Sequence, residues 1–145
     1  GQIRLKDFSA LYKALLKKDI ALIERELSKS LMETVSFFDY KEDYYHGFTA
    51  GLVKMMEGYI VESNRESGMG RSDIIIRSAP YEGIAIIIET KVADSYGQLE
   101  EKAVQALAQI EEKQYDAGLR SEGYHTFIKY GIAFFKKLCR VHVNE

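Results

Sequence analysis

Tryptophan is absent and cysteine occurs once, at Cys139. A lone cysteine excludes an internal disulfide and a multi-cysteine zinc site and fits a reducing compartment, so a cytoplasmic location is expected. Cys139 itself reads as a small core residue. No apolar run approaches the roughly 20 residues that span a bilayer. The opening stretch GQIRLKDFSALYKALLKK has neither the apolar core nor the small-residue cleavage site of a secretory signal. Excess positive charge is missing too: the net charge of −2 excludes a surface coated in Lys and Arg for duplex binding, though not a local patch. Internal repeats, low-complexity tracts and Ser/Gly/Pro linkers are absent. The run Ser67, Gly68, Met69, Gly70 is a turn rather than a dinucleotide fingerprint, because a polar segment and a strand follow where a helix should begin.

What remains is an ordinary globular composition, 46% hydrophobic and 29% charged over 145 residues, enough for one domain with a substantial core. The chain starts at Gly1 without a methionine and is expected to be part of a longer protein. Asp7 or Ser9 can cap a first helix through Leu16, and Asp19 a second. On the second, Ile20, Ile23, Leu27, Leu31 and Val35 form one apolar stripe. That stripe faces the core or a missing partner domain, and part of it is expected to be exposed in this chain. A third helix is predicted over 42–58, burying Tyr45, Phe48, Leu52, Met55 and Met56, with Gly47 and Gly51 allowing close packing on the sheet. Strands follow at 59–64, 71–77 and 83–92. A long helix over 98–117, ended by Gly118, leads to two last strands that turn at Lys136 and Lys137. The order predicts an α/β (α+β) three-layer arrangement around a mixed sheet of about five strands.

Function is most legible between Ser63 and Lys91. Ile84, Ala85, Ile86, Ile87 and Ile88 have no polar interruption and read as a strand buried on both faces, ending in Glu89, Thr90 and Lys91. Alternation sends Glu89 and Lys91 to one face and Thr90 to the other. Asp73 opens a second apolar strand, Ile74 to Ile76, which the link Ser78 to Gly83 can fold back as a hairpin, bringing Asp73 beside Glu89. Two carboxylates at the edge of a buried sheet must be paired or bind a metal. A hard divalent cation, Mg²⁺ or Mn²⁺, suits them, with the lysine orienting a water. The competing reading of Glu89 and Lys91 is a structural ion pair. Upstream, Asn64, Arg65, Glu66 and Arg71 either buttress the site through an Arg–carboxylate network or offer Arg65 and Arg71 to a substrate phosphate. On the long helix, Gln98, Lys102, Gln105, Gln109 and Lys113 form a polar stripe that lets Gln109 look back at the sheet. From Lys113 to Arg140, six basic residues (Lys113, Arg120, Lys129, Lys136, Lys137, Arg140) face only two acidic ones, either a local basic patch or a solvated face.

Asp73 with Glu89-Thr90-Lys91 on adjacent strands resembles the PD-(D/E)XK nuclease superfamily, with its restriction-endonuclease-like fold. YYHGFTAGL, SNRESGMGRSDIII, IIIETKV, ALAQIEEKQY and KYGIAFFKK, in that order, look like the small nuclease-like domain found C-terminal to an AAA-ATPase-like domain. The resemblance divides the chain into an N-terminal helical segment, 1–38, linking to an upstream domain, and a nuclease-like domain, 39–145. It implies a metal-dependent nuclease acting on DNA in preference to RNA. Asp73, Glu89 and the Thr90 carbonyl would be metal ligands and Lys91 the catalytic lysine. His46 or Glu42 resembles a helix residue that reaches the metal in related exonucleases. Gln109 and Tyr115 resemble a glutamine and tyrosine near that site, which would make Gln109 a catalytic residue orienting the nucleophile or Lys91 and Tyr115 a substrate contact, although the step between them is six residues rather than four. The alternative is a catalytically silent module docking on an ATPase-like partner or nucleic acid. A glycosidase built on two carboxylates is poorly served by the nearby lysine and by the lack of tryptophan for sugar stacking.

If the carboxylates bind a cation, millimolar Mg²⁺ or Mn²⁺ should raise the melting temperature. At one hundred times Kd the gain is ~2.7 kcal/mol, or roughly 5–10 °C. Asp73→Ala should abolish the shift, and an unchanged wild-type melting curve across the metal titration would count against the site.

Overall fold

The computed structural model describes residues 7–34, 41–66 and 71–145. Helices α1 (Ser9–Lys17), α2 (Ile20–Glu33) and α3 (Glu42–Val53) precede strands β1 (Ile60–Glu66), β2 (Arg71–Arg77) and β3 (Ile84–Val92). Then come α4 (Leu99–Lys113), α5 (Asp116–Ser121), β4 (Thr126–Phe135) and β5 (Leu138–Val143). The five strands lie in sequence order in one sheet, antiparallel except for the parallel pair β3 and β4. A parallel pair needs a crossover connection, and α4 is the long element that supplies it. Helices therefore lie on both sides: α1, α2 and α3 on one, α4 and α5 on the other.

Strand alternation decides what each face carries. Ile74, Ile76, Ile86, Ile88, Tyr130, Ile132 and Phe134 share one core with Leu11, Leu15, Ile23, Leu27 and Leu31. Ile75, Ala85 and Ile87 point the other way, onto Ile110, Leu119 and Tyr124. Local chemistry fixes the ends. Asp19 caps α2 by accepting from Leu22 N at 3.3 Å, as its position implied. Lys137 Nζ donates to the Leu31 carbonyl near the other end of that helix at 2.8 Å. Tyr130 Oη reaches the Leu15 carbonyl at 2.6 Å, tying α1 to the sheet.

Several expectations are corrected. The stripe of α2 is covered within the chain: Ile23, Leu27 and Leu31 are buried and Ile20 is partly so, because α2 packs on β5 and α1. Val35 and the 67–70 turn lie outside the described residues. The third helix stops at Val53, and the chain turns through 54–59 with Gly58 at φ +82°, which leaves Met55 exposed. Gly47 and Gly51 have nothing within 4 Å of the point where a Cβ would stand, so they do not serve close packing. The long helix breaks early, at Gln114 in the left-handed region (φ 50°). Gly118 falls inside α5, and the stop is made after it, at Gly123 (φ 104°).

The glycine that does permit close approach is Gly131 on β4. A Cβ there would lie 2.3 Å from the Ala103 carbonyl oxygen and 2.4 Å from the Leu107 nitrogen, so α4 rests on β4 backbone against backbone. Gly131→Ala should cost about 1–3 kcal/mol by overpacking. Gly47→Ala, in an open helical position, should instead stabilise by about 0.5–1 kcal/mol. Urea unfolding midpoints of the two variants check both signs.

Candidate active site

Asp73 and Glu89 are direct partners in the β2–β3 register, on the face that α4 covers. Both side chains are removed from water, at 0% exposure each. Glu89's neighbour on β4 is Gly131, so nothing but backbone separates this end of the sheet from α4. Gln109 and Lys113, four residues apart on α4, thereby reach down onto the carboxylates. The Lys113 ammonium lies 3.3 Å from Glu89 Oε2 and 3.7 Å from Asp73 Oδ2. With its amide oriented to satisfy both neighbours, Gln109 donates to Glu89 Oε1 at 3.0 Å and accepts from Lys91 Nζ at 3.1 Å. Asn64 on β1 donates to Asp73 Oδ1 at 2.8 Å, and the Tyr115 hydroxyl donates to Asp73 Oδ2.

Burial pushes the Glu89 carboxyl up to about 7, the Asp73 charge adding to it while Lys113 and Lys91 oppose it. Near neutral pH this carboxyl therefore holds a proton part of the time.

The structure gathers Asp73, Glu89, Lys91, Gln109 and Tyr115 in one place. Tyr115 gets there because α4 ends at Lys113 and the left-handed Gln114 redirects the chain, which offsets its six-residue step from Gln109. Thr90 is fully buried, its side chain on the opposite face by alternation. His46 stands near enough to Asp73 for the two charges to interact. Among the described residues no three His, Cys, Asp or Glu side chains converge on a metal position. His46 Nε2 meets Ser63 Oγ at 2.6 Å, on the α3 face, and burial, aided by the Arg65 charge, lowers its pKa. Arg65 turns to Asp43 and to Glu42, at 3.6 Å from the latter, at the start of α3. Arg71 opens β2, but its side chain lies outside the described residues.

The 113–140 basic run has two readings, a local patch or a solvated face, and three of its cations are engaged within the chain. Lys129 is buried between Glu111 and Asp116, Arg140 joins Glu100 and Glu24, and Arg120 lies 4.7 Å over the Phe127 ring. The residue whose importance sequence reasoning missed is Lys113, which in the sequence stands only in a polar stripe and a basic run. Its signal was the four-residue step from Gln109.

A mixed five-stranded sheet flanked by helices, with paired carboxylates and a Glu-x-Lys strand end, is the restriction-endonuclease-like fold. Residues 40–144 match the family model of the PD-(D/E)XK nuclease superfamily, and the chain belongs to that superfamily. No curated protein and no solved structure matches the chain significantly.

Members of the superfamily generally use divalent metals. The residues here fit one: the donors are hard oxygens, the two carboxylates are dry, and a cation, the Lys113 ammonium, already lies against both. Without metal, Glu89 makes stability depend on pH. The folded chain holds its proton up to about pH 7, whereas an unfolded glutamate releases it near 4.5, so folding loses support as pH rises through that window. Relative to Glu89→Gln, the wild type should lose up to about 3 kcal/mol between pH 4.5 and 8 in chelator. Urea unfolding of both proteins across that range is the check, and parallel curves would refute the raised carboxyl.

Proposed function

We propose that the chain is a divalent-metal-dependent nuclease that hydrolyses phosphodiester bonds of DNA. Asp73, Glu89 and the Thr90 carbonyl would hold Mg²⁺ or Mn²⁺. The bound cation would supply Lewis-acid polarisation of the phosphate. Lys91 orients the attacking water and stabilises charge developing on the phosphoryl oxygens. Gln109 is a positioning residue: it anchors both Glu89 and Lys91, holding carboxylate and ammonium at a set separation. Asn64 and Tyr115 fix Asp73 from the other side, so its carboxylate costs little reorganisation when a ligand arrives.

The observation that carries this reading is the partner of Lys91. A structural lysine would ion-pair with the buried carboxylates; here that contact is made by Lys113, while Lys91 Nζ donates to a neutral amide oxygen at 3.1 Å. Substrate contacts by Arg65, Arg71 or Tyr115 belong to this proposal, as do His46 in a metal-bound rearrangement and work beside an AAA-ATPase-like domain in the cytoplasm. One observation favours the second reading, a catalytically silent docking module: Lys113 gives the carboxylates a counter-ion within the chain.

Lys91→Ala should leave the melting curve and metal uptake near wild type, because the carboxylates keep their partners. Mn²⁺-dependent cleavage of single- or double-stranded DNA should fall by on the order of 10² or more. A lysine with only a structural role would lower stability with no selective effect on turnover. Wild-type protein that binds metal yet cuts none of a DNA and RNA panel would favour the silent module.

A further inference from the structure

Lys113 Nζ contacts both oxygens of Glu89, at 3.3 and 3.4 Å, and Asp73 Oδ2 at 3.7 Å. These are the oxygens that the metal-dependent reading assigns to the cation. We propose that Lys113 and the divalent cation occupy this position alternately, so that Lys113 is the resident counter-ion a metal must displace and thereby sets the site's metal affinity. The inference rests on the metal-dependent reading but goes further, since that reading gives Lys113 no part.

Three features support exchange rather than sharing. A Mg²⁺ ion takes carboxylate oxygens at about 2.1 Å. An ammonium within 4 Å of the same oxygens would crowd and repel it. Lys113 is also able to leave: its side chain is 28% exposed, and it is the last residue of α4, beside the left-handed Gln114. Finally, the site does not come apart when Lys113 goes. Gln109 keeps Glu89 Oε1, and Asn64 and Tyr115 keep Asp73. Lys91 is held by Gln109 and need not move.

The experiment titrates Mn²⁺ by calorimetry into wild type, Lys113→Met and Lys113→Arg at one pH and salt concentration. Lys113→Met should be less stable without metal yet bind Mn²⁺ about tenfold more tightly, whereas Lys113→Arg, which keeps the charge, should bind no more tightly than wild type. A purely structural lysine predicts the reverse, equal or weaker binding in the Met variant, and that result overturns the proposal. A second measurement needs no variant. Labelling of wild-type amines, read by mass spectrometry, should show Lys113 modified severalfold faster with Mn²⁺ present, while exposed Lys13 is unchanged. Tighter binding without that labelling change would reduce Lys113 to a distant charge and overturn the exchange. If wild type binds Mn²⁺ and neither readout moves, only this inference falls; if neither wild type nor Lys113→Met takes up Mn²⁺, the metal-dependent reading falls with it.

Discussion

Two carboxylates set opposite each other on adjacent strands, and both removed from water, repel one another and lose their hydration. That penalty governs the arrangement around them. Asn64 arrives from β1, Tyr115 from the turn after α4, and Gln109 and Lys113 from α4 itself, each donating to a carboxylate oxygen. Burial of Glu89 still outweighs the lysines beside it and raises its carboxyl to about 7. A shift produced in this way, by burial and neighbouring charges, is characteristic of functional sites.

The rest of the fold delivers that pair. Because β3 and β4 are parallel, the connection between them must cross over the sheet, and α4 is laid across the two strands that need a lid. The opposite face is closed by α1, α2 and α3 over an almost wholly apolar surface, with Tyr45 stacked on Phe134 at 4.6 Å. Strand β3 is thus anchored on one face by a dry core, while its other face passes from Ala85 and Ile87 to Glu89 and Lys91. The rigid side holds the polar side in register.

Much of this was legible in the sequence because it depends on patterns with a short period. Unbroken isoleucine runs specify buried strands, the two-residue step from Glu89 to Lys91 specifies a shared face, and Asp19 before an apolar stripe specifies a cap. What was not legible depends on tertiary context. Gln114 has no intrinsic preference for the left-handed region, so nothing in ALAQIEEKQY announces that the helix ends there. Gly47, Gly51 and Gly131 look alike in a string, yet only Gly131 lies under a helix. Lys113 and Lys129 both read as surface charges, but one meets the carboxylate pair and the other is buried in an ion triad. Charge counting along a chain cannot tell which cations are already engaged.

The contact of α4 with Gly131 bears on how this domain can diverge. Where side chains separate a helix from a sheet, each change of volume in the core shifts the distance between the layers, and any site straddling them drifts with it. Here main chain touches main chain beside Glu89, so the spacing from Gln109 to the carboxylates is gauged by covalent geometry rather than by whichever apolar residues fill the remaining core. The chemistry is thereby insulated from much of the sequence variation that its own scaffold tolerates.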